Sequence, residues 1–241
     1  MDGIVNGRWM CELSNWTGKA YRIPRTYFKK CLDRDELRAP SIYFLFGEDT
    51  ENGKMVVYIG ETEDALKRIG EHIQNSKKDY WTEVIVFISK DDNLNKAHIK
   101  YLESRFYEIT NEVDRYIVMN TQPPKRSTIS EPEKAEMESF IENTKIIISA
   151  LGHKAFEILS PQNNDSVNVE ETEDYDEYFY IKNSNGILAK GFLHTEGFVV
   201  CKGSQMKERD VSKSTSKNLL KLLETYKKDG TIVDELFTLL I

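Results

Sequence analysis

Two apolar runs, Ile42-Tyr43-Phe44-Leu45-Phe46 and Met55-Val56-Val57-Tyr58-Ile59, flank the polar stretch Glu48-Asp49-Thr50-Glu51-Asn52-Gly53. Asn-Gly between two such runs predicts a β-hairpin, because a tight primed turn needs φ > 0. Gly60 closes the second strand. Ala65, Leu66, Ile69 and Ile73 then recur at helical spacing, which predicts a helix over roughly 63–75 with Thr62 as its cap. A third strand is expected over Glu83 to Ile88. Asp92 or Asn93 is expected to cap a longer helix carrying Leu94, Ala97, Tyr101, Leu102, Phe106 and Ile109 on one stripe. Hairpin, helix, strand, helix reads as an α+β fold, an α/β sandwich on a small three-stranded antiparallel sheet flanked by helices.

The breakers Asn120-Thr121-Gln122-Pro123-Pro124 end this pattern. Ser130 with Pro132 and Glu133 starts another helix, whose stripe Met137, Phe140, Ile141, Ile147, Ile148 and Leu151 runs to Gly152. Residues 161–178 hold seven acids and no Lys or Arg, the pattern of an exposed loop. Short strands are expected at Tyr178–Lys182, Leu188–Phe192 and Gly197–Cys201, and a helix around 212–228. The expected organisation is an N-terminal extension over 1–40, a domain over 41–130 and a smaller α+β domain over 131–241.

Composition narrows the class. The 241 residues are 39% hydrophobic and 30% charged, a globular composition. The longest apolar runs, such as Val84 to Ile88, fall far short of the ~20 residues of a membrane helix. No secretory pattern opens the chain, and three scattered cysteines (Cys11, Cys31, Cys201) suit neither a disulfide framework nor a zinc knuckle. A cytoplasmic location without a membrane partner is the expectation. The net charge of −7 lies wholly in the second half: residues 1–130 carry 20 basic and 20 acidic side chains. Within residues 14–25, aromatics alternate with Lys19, Arg22 and Arg25. That mixture suits either a nucleic-acid contact or an extra strand packed through Trp16 and Tyr21.

Several polar side chains stand where an apolar pattern would not put them. Tyr43 and Tyr58 lie on paired strands of the hairpin. Arg68 and His72 are four apart on one helix, and Glu103 follows Leu102 at the margin of the second helical stripe. Singly, each has an ordinary structural explanation. Together, Ser41-Ile42-Tyr43, Tyr58-Ile59-Gly60, Leu66-x-Arg68-x-x-x-His72, Tyr101-Leu102-Glu103 and Asn120 resemble, in order and spacing, the motifs of the GIY-YIG nuclease family.

The resemblance implies metal-dependent hydrolysis of DNA, or of RNA as the second choice. Glu103 would be the single protein ligand to Mg²⁺ or Mn²⁺, and Arg68 would hold the scissile phosphate. A tyrosine would be the general base, with Tyr43 preferred over Tyr58, and His72 and Asn120 would orient the phosphate and the phenols. Lys96 and Lys100 on the second helix are further candidates for phosphate contact, with Lys19, Arg22 and Arg25. Ser41 replaces the family's first glycine, and Glu61 stands where repair-type members often carry lysine. A similar small C-terminal domain accompanies many such proteins. The alternative is a catalytically silent binding module on the same fold. Some relatives act as homodimers, but the sequence carries no interface signature.

Overall fold

The β3 strand (Ser41–Glu48) alternates strictly: Tyr43 and Leu45 face one layer, and Ile42, Phe44 and Phe46 the other. Both faces are buried, so its near-continuous apolar run is what a central strand requires. In the computed structural model, β3 pairs antiparallel with β4 (Met55–Thr62) and with β5 (Trp81–Ser89). The residues described are 1–49, 53–75, 79–157, 178–183, 186–194, 197–201 and 203–205, with 224, 227–228, 232–233 and 236–237.

Those three strands form the centre of a wider sheet, not the whole of it. β1 (Trp9–Glu12) and β2 (Gly18–Pro24) extend it beyond β5, and a short parallel strand, β6 (Ile117–Val118), lies beyond β4. The order is β1-β2-β5-β3-β4-β6. The expected three-stranded sheet is thus corrected to six strands, because residues 9–24 join it instead of packing on it as an extension.

Helix α1 (Ala65–Gln74) covers the face of Tyr43 and Leu45 through Ala65, Leu66 and Ile69. Helices α2 (Lys96–Val113) and α3 (Glu131–Ala150) cover the face of Phe44 and Phe46. The caps differ from those expected by two or three residues. Asp64 caps α1, its side chain accepting from the Lys67 N–H at 2.9 Å, and Asn95 caps α2. Ser130 caps α3 in a complete capping box with Glu133.

The chain divides into two compact units, Met1–Glu157 and Ile158–Ile241. The expected boundary at 130/131 is therefore moved. Met137, Phe140, Ile141, Ile147 and Ile148 of α3 belong to the cluster of Phe44, Phe87 and Phe106. Beyond α3, Gly152 takes a left-handed φ of +96, which turns His153 back onto the sheet. There its ring stacks on Phe46 (centroids 3.7 Å apart) and bonds to Glu83 at 2.8 Å. In the second unit, β7 (Tyr178–Asn183), β8 (Gly186–His194) and β9 (Gly197–Val200) form an antiparallel meander. The pairs β10 (Ile232–Val233) and β11 (Leu236–Phe237) form a separate ribbon. Almost all of the expected acidic loop and of the helix around 212–228 lie outside the described residues.

Candidate active site

The register of β3 on β4 sets Tyr43 beside Gly60. A Cβ at Gly60 would fall on the Tyr43 hydroxyl and 2.9 Å from its ring edge, so only glycine lets the phenol lie flat across β4. From the other side, α1 presents Arg68 and His72 one turn apart. The Tyr43 Oη lies 2.7 Å from His72 Nε2 and accepts from Arg68 Nε at 3.3 Å. The direction of the Tyr43–His72 bond follows the imidazole tautomer: a phenol that donates to Nε2 requires the His72 proton on Nδ1. Tyr58 completes the cluster, its ring centroid 6.2 Å from Tyr43 and 5.1 Å from His72. Four of the six residues expected at the site therefore meet.

Tyr43 is fully buried, whereas Tyr58 keeps exposed surface. Burial, and then the neighbouring Tyr58, hold the Tyr43 phenol well above its ordinary pKa, against the pull of Arg68. Its hydroxyl is an internal hydrogen-bond hub. This counts against the expectation that Tyr43 meets the attacking water. On its outer edge Arg68 donates to Glu71, at 2.9 Å from Nη1.

The outer edge of β4 brings in the remaining two residues. Past the short pairing with β6, the outward backbone groups of Val57, Ile59 and Glu61 need partners. The Met119 N–H donates to the Val57 carbonyl at 2.8 Å. Asn120 serves both groups of Ile59, accepting from its N–H at 3.0 Å and donating to its carbonyl at 2.7 Å. The Glu61 N–H donates to the Glu103 carboxylate, which reaches the strand from α2. Side chains thus continue the ladder where no strand does. The expected role of Asn120 in orienting the phenols is corrected: both ends of its amide are used on the Ile59 backbone, so it fixes the strand between Tyr58 and Gly60.

Glu103 is partly buried and makes no ion pair among the described residues. Burial, and then the Glu61 carboxylate, push its pKa up to about 7, while the Glu61 N–H, Lys96 and Arg68 pull the other way. Lys96 is committed to Glu61 at 2.7 Å and Glu63 at 3.6 Å. Among the described residues no three His, Cys, Asp or Glu side chains gather as a metal cage. A lone carboxylate with water and phosphate completing the shell is a normal arrangement for Mg²⁺. A second carboxylate nearby adds to the demand for positive charge. The residues present fit such a cation.

The basic strip is largely spoken for. Lys19 pairs with Glu12 at 3.5 Å, Arg22 with Glu83 at 2.5 Å and Arg25 with Asp79 at 2.6 Å. Arg25 also lies over the Trp81 ring at 4.6 Å. Trp16 packs on Phe140 and Phe87, and Tyr21 is buried. Of the two sequence readings of residues 14–25, the packed strand is the one observed. Lys100 stays exposed without an ion pair among the described residues. The sequence reading missed the role of the Glu61 backbone, the Glu71 partner of Arg68 and the nearby phenol of Tyr80. Only the register of β4 on β3 signals the first. No helix of the described residues is long and apolar enough to cross a membrane. Comparisons with protein-family models, with curated proteins and with solved structures returned no match.

Proposed function

We propose that the protein is a divalent-metal-dependent phosphodiesterase that cuts DNA, working as the resemblance to GIY-YIG nucleases implies. The observation that carries this reading is the meeting of Tyr43, Tyr58, Arg68 and His72 on one face of β3 and β4, with Glu103, which makes no ion pair among the described residues, on the adjoining edge. A structural explanation accounts for each residue alone. It does not account for a guanidinium, an imidazole and a phenol sharing hydrogen bonds, with a second phenol ring against them, beside a carboxylate that burial makes costly to ionise.

Glu103 would hold Mg²⁺ or Mn²⁺. When bound, that cation supplies charge for the scissile phosphate and the departing 3′ oxygen. Arg68 exchanges Glu71 for a phosphate oxygen, a bidentate fit that lysine does not match. Tyr58 is the phenol a water can reach. The water oxygen bonds to phosphorus, its proton passes to the Tyr58 oxygen in its phenolate form, and the P–O3′ bond breaks, the departing 3′ oxygen taking a proton from solvent water. An unassisted phenolate at pH 7 costs about 4 kcal/mol. Tyr43 and His72 hold Arg68 and the phenol pair in register.

The test is incubation with end-labelled duplex DNA, single-stranded DNA and RNA of one sequence in Mg²⁺. Cuts in duplex DNA leaving 5′-phosphate and 3′-hydroxyl ends are expected. Preferential RNA cleavage would replace the substrate class. Metal-independent binding without any cut would make the protein a silent binding module and contradict the proposal.

A further inference from the structure

Trp16 lies across the start of β2, where a Cβ on Gly18 would fall on its indole ring. The ring packs on Phe140 of α3, centroids 4.8 Å apart, and on Phe87 of β5 at 6.2 Å. Beside it is a groove of about 330 Å³, set between α3 and the loops that precede β2 and follow β5. Leu94, Met137 and Phe140 line it together with Trp16. That size and apolar lining belong to a small binding cleft, since well-packed cores leave no gap so large. The Trp16 indole N–H makes no hydrogen bond among the described residues.

The charge around the groove has one sign. Asp91, after β5, and Glu136, on α3, both line it and are both exposed, whereas no Lys or Arg lines it. Neither carboxylate makes an ion pair among the described residues. Lys90, next to Asp91 in the chain, turns instead to Glu12 at 3.1 Å. The Ser89 hydroxyl, and then Asn93, whose amide donates at 2.7 Å, hold the Asp91 carboxyl below its usual range, so it is charged at neutral pH. An indole with two negative charges beside it repels phosphate and favours a cation that carries a flat face. A guanidinium meets both demands, because it stacks on an aromatic ring and its fork of donors fits carboxylates, which an ammonium does less well.

We propose that this groove docks a partner protein by taking an arginine side chain from a basic segment of it, the guanidinium stacking on Trp16 and pairing with Asp91 and Glu136. The groove is built on the α2 and α3 face of the sheet, whereas Arg68 and His72 stand on α1 across the other face. A partner seated there leaves the cluster around Tyr43 uncovered. The inference stands apart from the nuclease reading.

Titration of the ¹⁵N-labelled full chain with the peptide acetyl-Gly-Gly-Arg-Gly-Gly-amide tests this by NMR. The Trp16 indole N–H signal, identified by its loss in Trp16→Phe, should shift and saturate with a Kd of about 1–5 mM, while the Trp9 and Trp81 indole signals stay in place. The lysine peptide should bind about threefold more weakly. The citrulline peptide, which keeps the shape without the charge, should bind at least about tenfold more weakly. Asp91→Asn and Glu136→Gln change exposed side chains, and each should weaken the arginine peptide about threefold. An unmoved Trp16 signal at about 20 mM peptide, equal binding of the citrulline peptide, or unchanged affinity in both variants would overturn the proposal. A Trp16 signal that moves with protein concentration alone would make a second copy of the chain the occupant, and would overturn it too.

Discussion

Glu103 is the side chain whose chemistry and stability pull in opposite directions. Its pKa of about 7, against 4.5 for an ordinary glutamate, means the folded protein binds that proton more tightly than the unfolded chain does. The stability contributed by the neutral carboxyl is therefore present below about pH 4.5 and is lost as pH rises toward 7. Glu103→Gln should raise stability above pH 7 by about 1–2 kcal/mol, the shift being discounted for the part of the carboxyl that water screens. It should change little at pH 4. Melting curves at the two pH values check this, and equal stability at pH 8 would contradict the burial argument. The same protonation makes binding of Mn²⁺ weaken about tenfold per unit below pH 7, measurable by calorimetry. Tyr43→Phe removes the oxygen shared by Arg68 Nε and His72 Nε2. Cleavage should drop about a hundredfold for about 1 kcal/mol of stability, a ratio that a core tyrosine would reverse.

At the scale of elements, β4 is the part that makes a site out of a sheet. Its inner register sets Gly60 under Tyr43, and its outer groups are capped by Asn120 and Glu103. Asn120→Ala would leave the Ile59 N–H and carbonyl without partners, at a cost of about 2–3 kcal/mol. The expected fall in melting temperature is about 5–10 °C, and a fall under 2 °C would mean water replaces the amide freely. Periodicity alone shows strands at 42–46, 55–59 and 83–88 and the stripes of α1 and α2, since each must bury one continuous face. It does not show β1 and β6, and it leaves β2 as one of two readings of residues 14–25. Two of these are short, and the cations on β2 resemble a binding strip until Glu12 and Glu83 are seen beside Lys19 and Arg22. Tyr43, Tyr58, Arg68, His72 and Glu103 are readable from motif spacing. The true work of Asn120 is not, because a residue number says nothing about which backbone its amide meets.

For the whole molecule, α3 decides where the first unit ends. Pro123-Pro124 looks like a domain boundary along the chain, but the contacts that bind α3 to the sheet are tertiary and leave no local mark. Its five buried apolar side chains, at about 1.5–3 kcal/mol each, amount to about 8–15 kcal/mol. That is as large as the whole stability of a typical domain. A fragment ending at residue 157 should therefore unfold cooperatively, whereas one ending at 130 should not. Urea titrations of the two fragments check this, and a cooperative transition for 1–130 would return the boundary to the proline pair.

Phosphodiester hydrolysis with a divalent cation is the activity proposed for the one cluster of side chains assembled around β4. The most direct test is single-turnover nicking of supercoiled plasmid at pH 8 in Mg²⁺, by wild type, Arg68→Ala and Glu103→Gln purified in parallel. Nicking by wild type should stop on chelation, and both variants should lose at least a hundredfold while their melting curves show them folded. Equal nicking by all three proteins, or none by wild type in either Mg²⁺ or Mn²⁺, would contradict it.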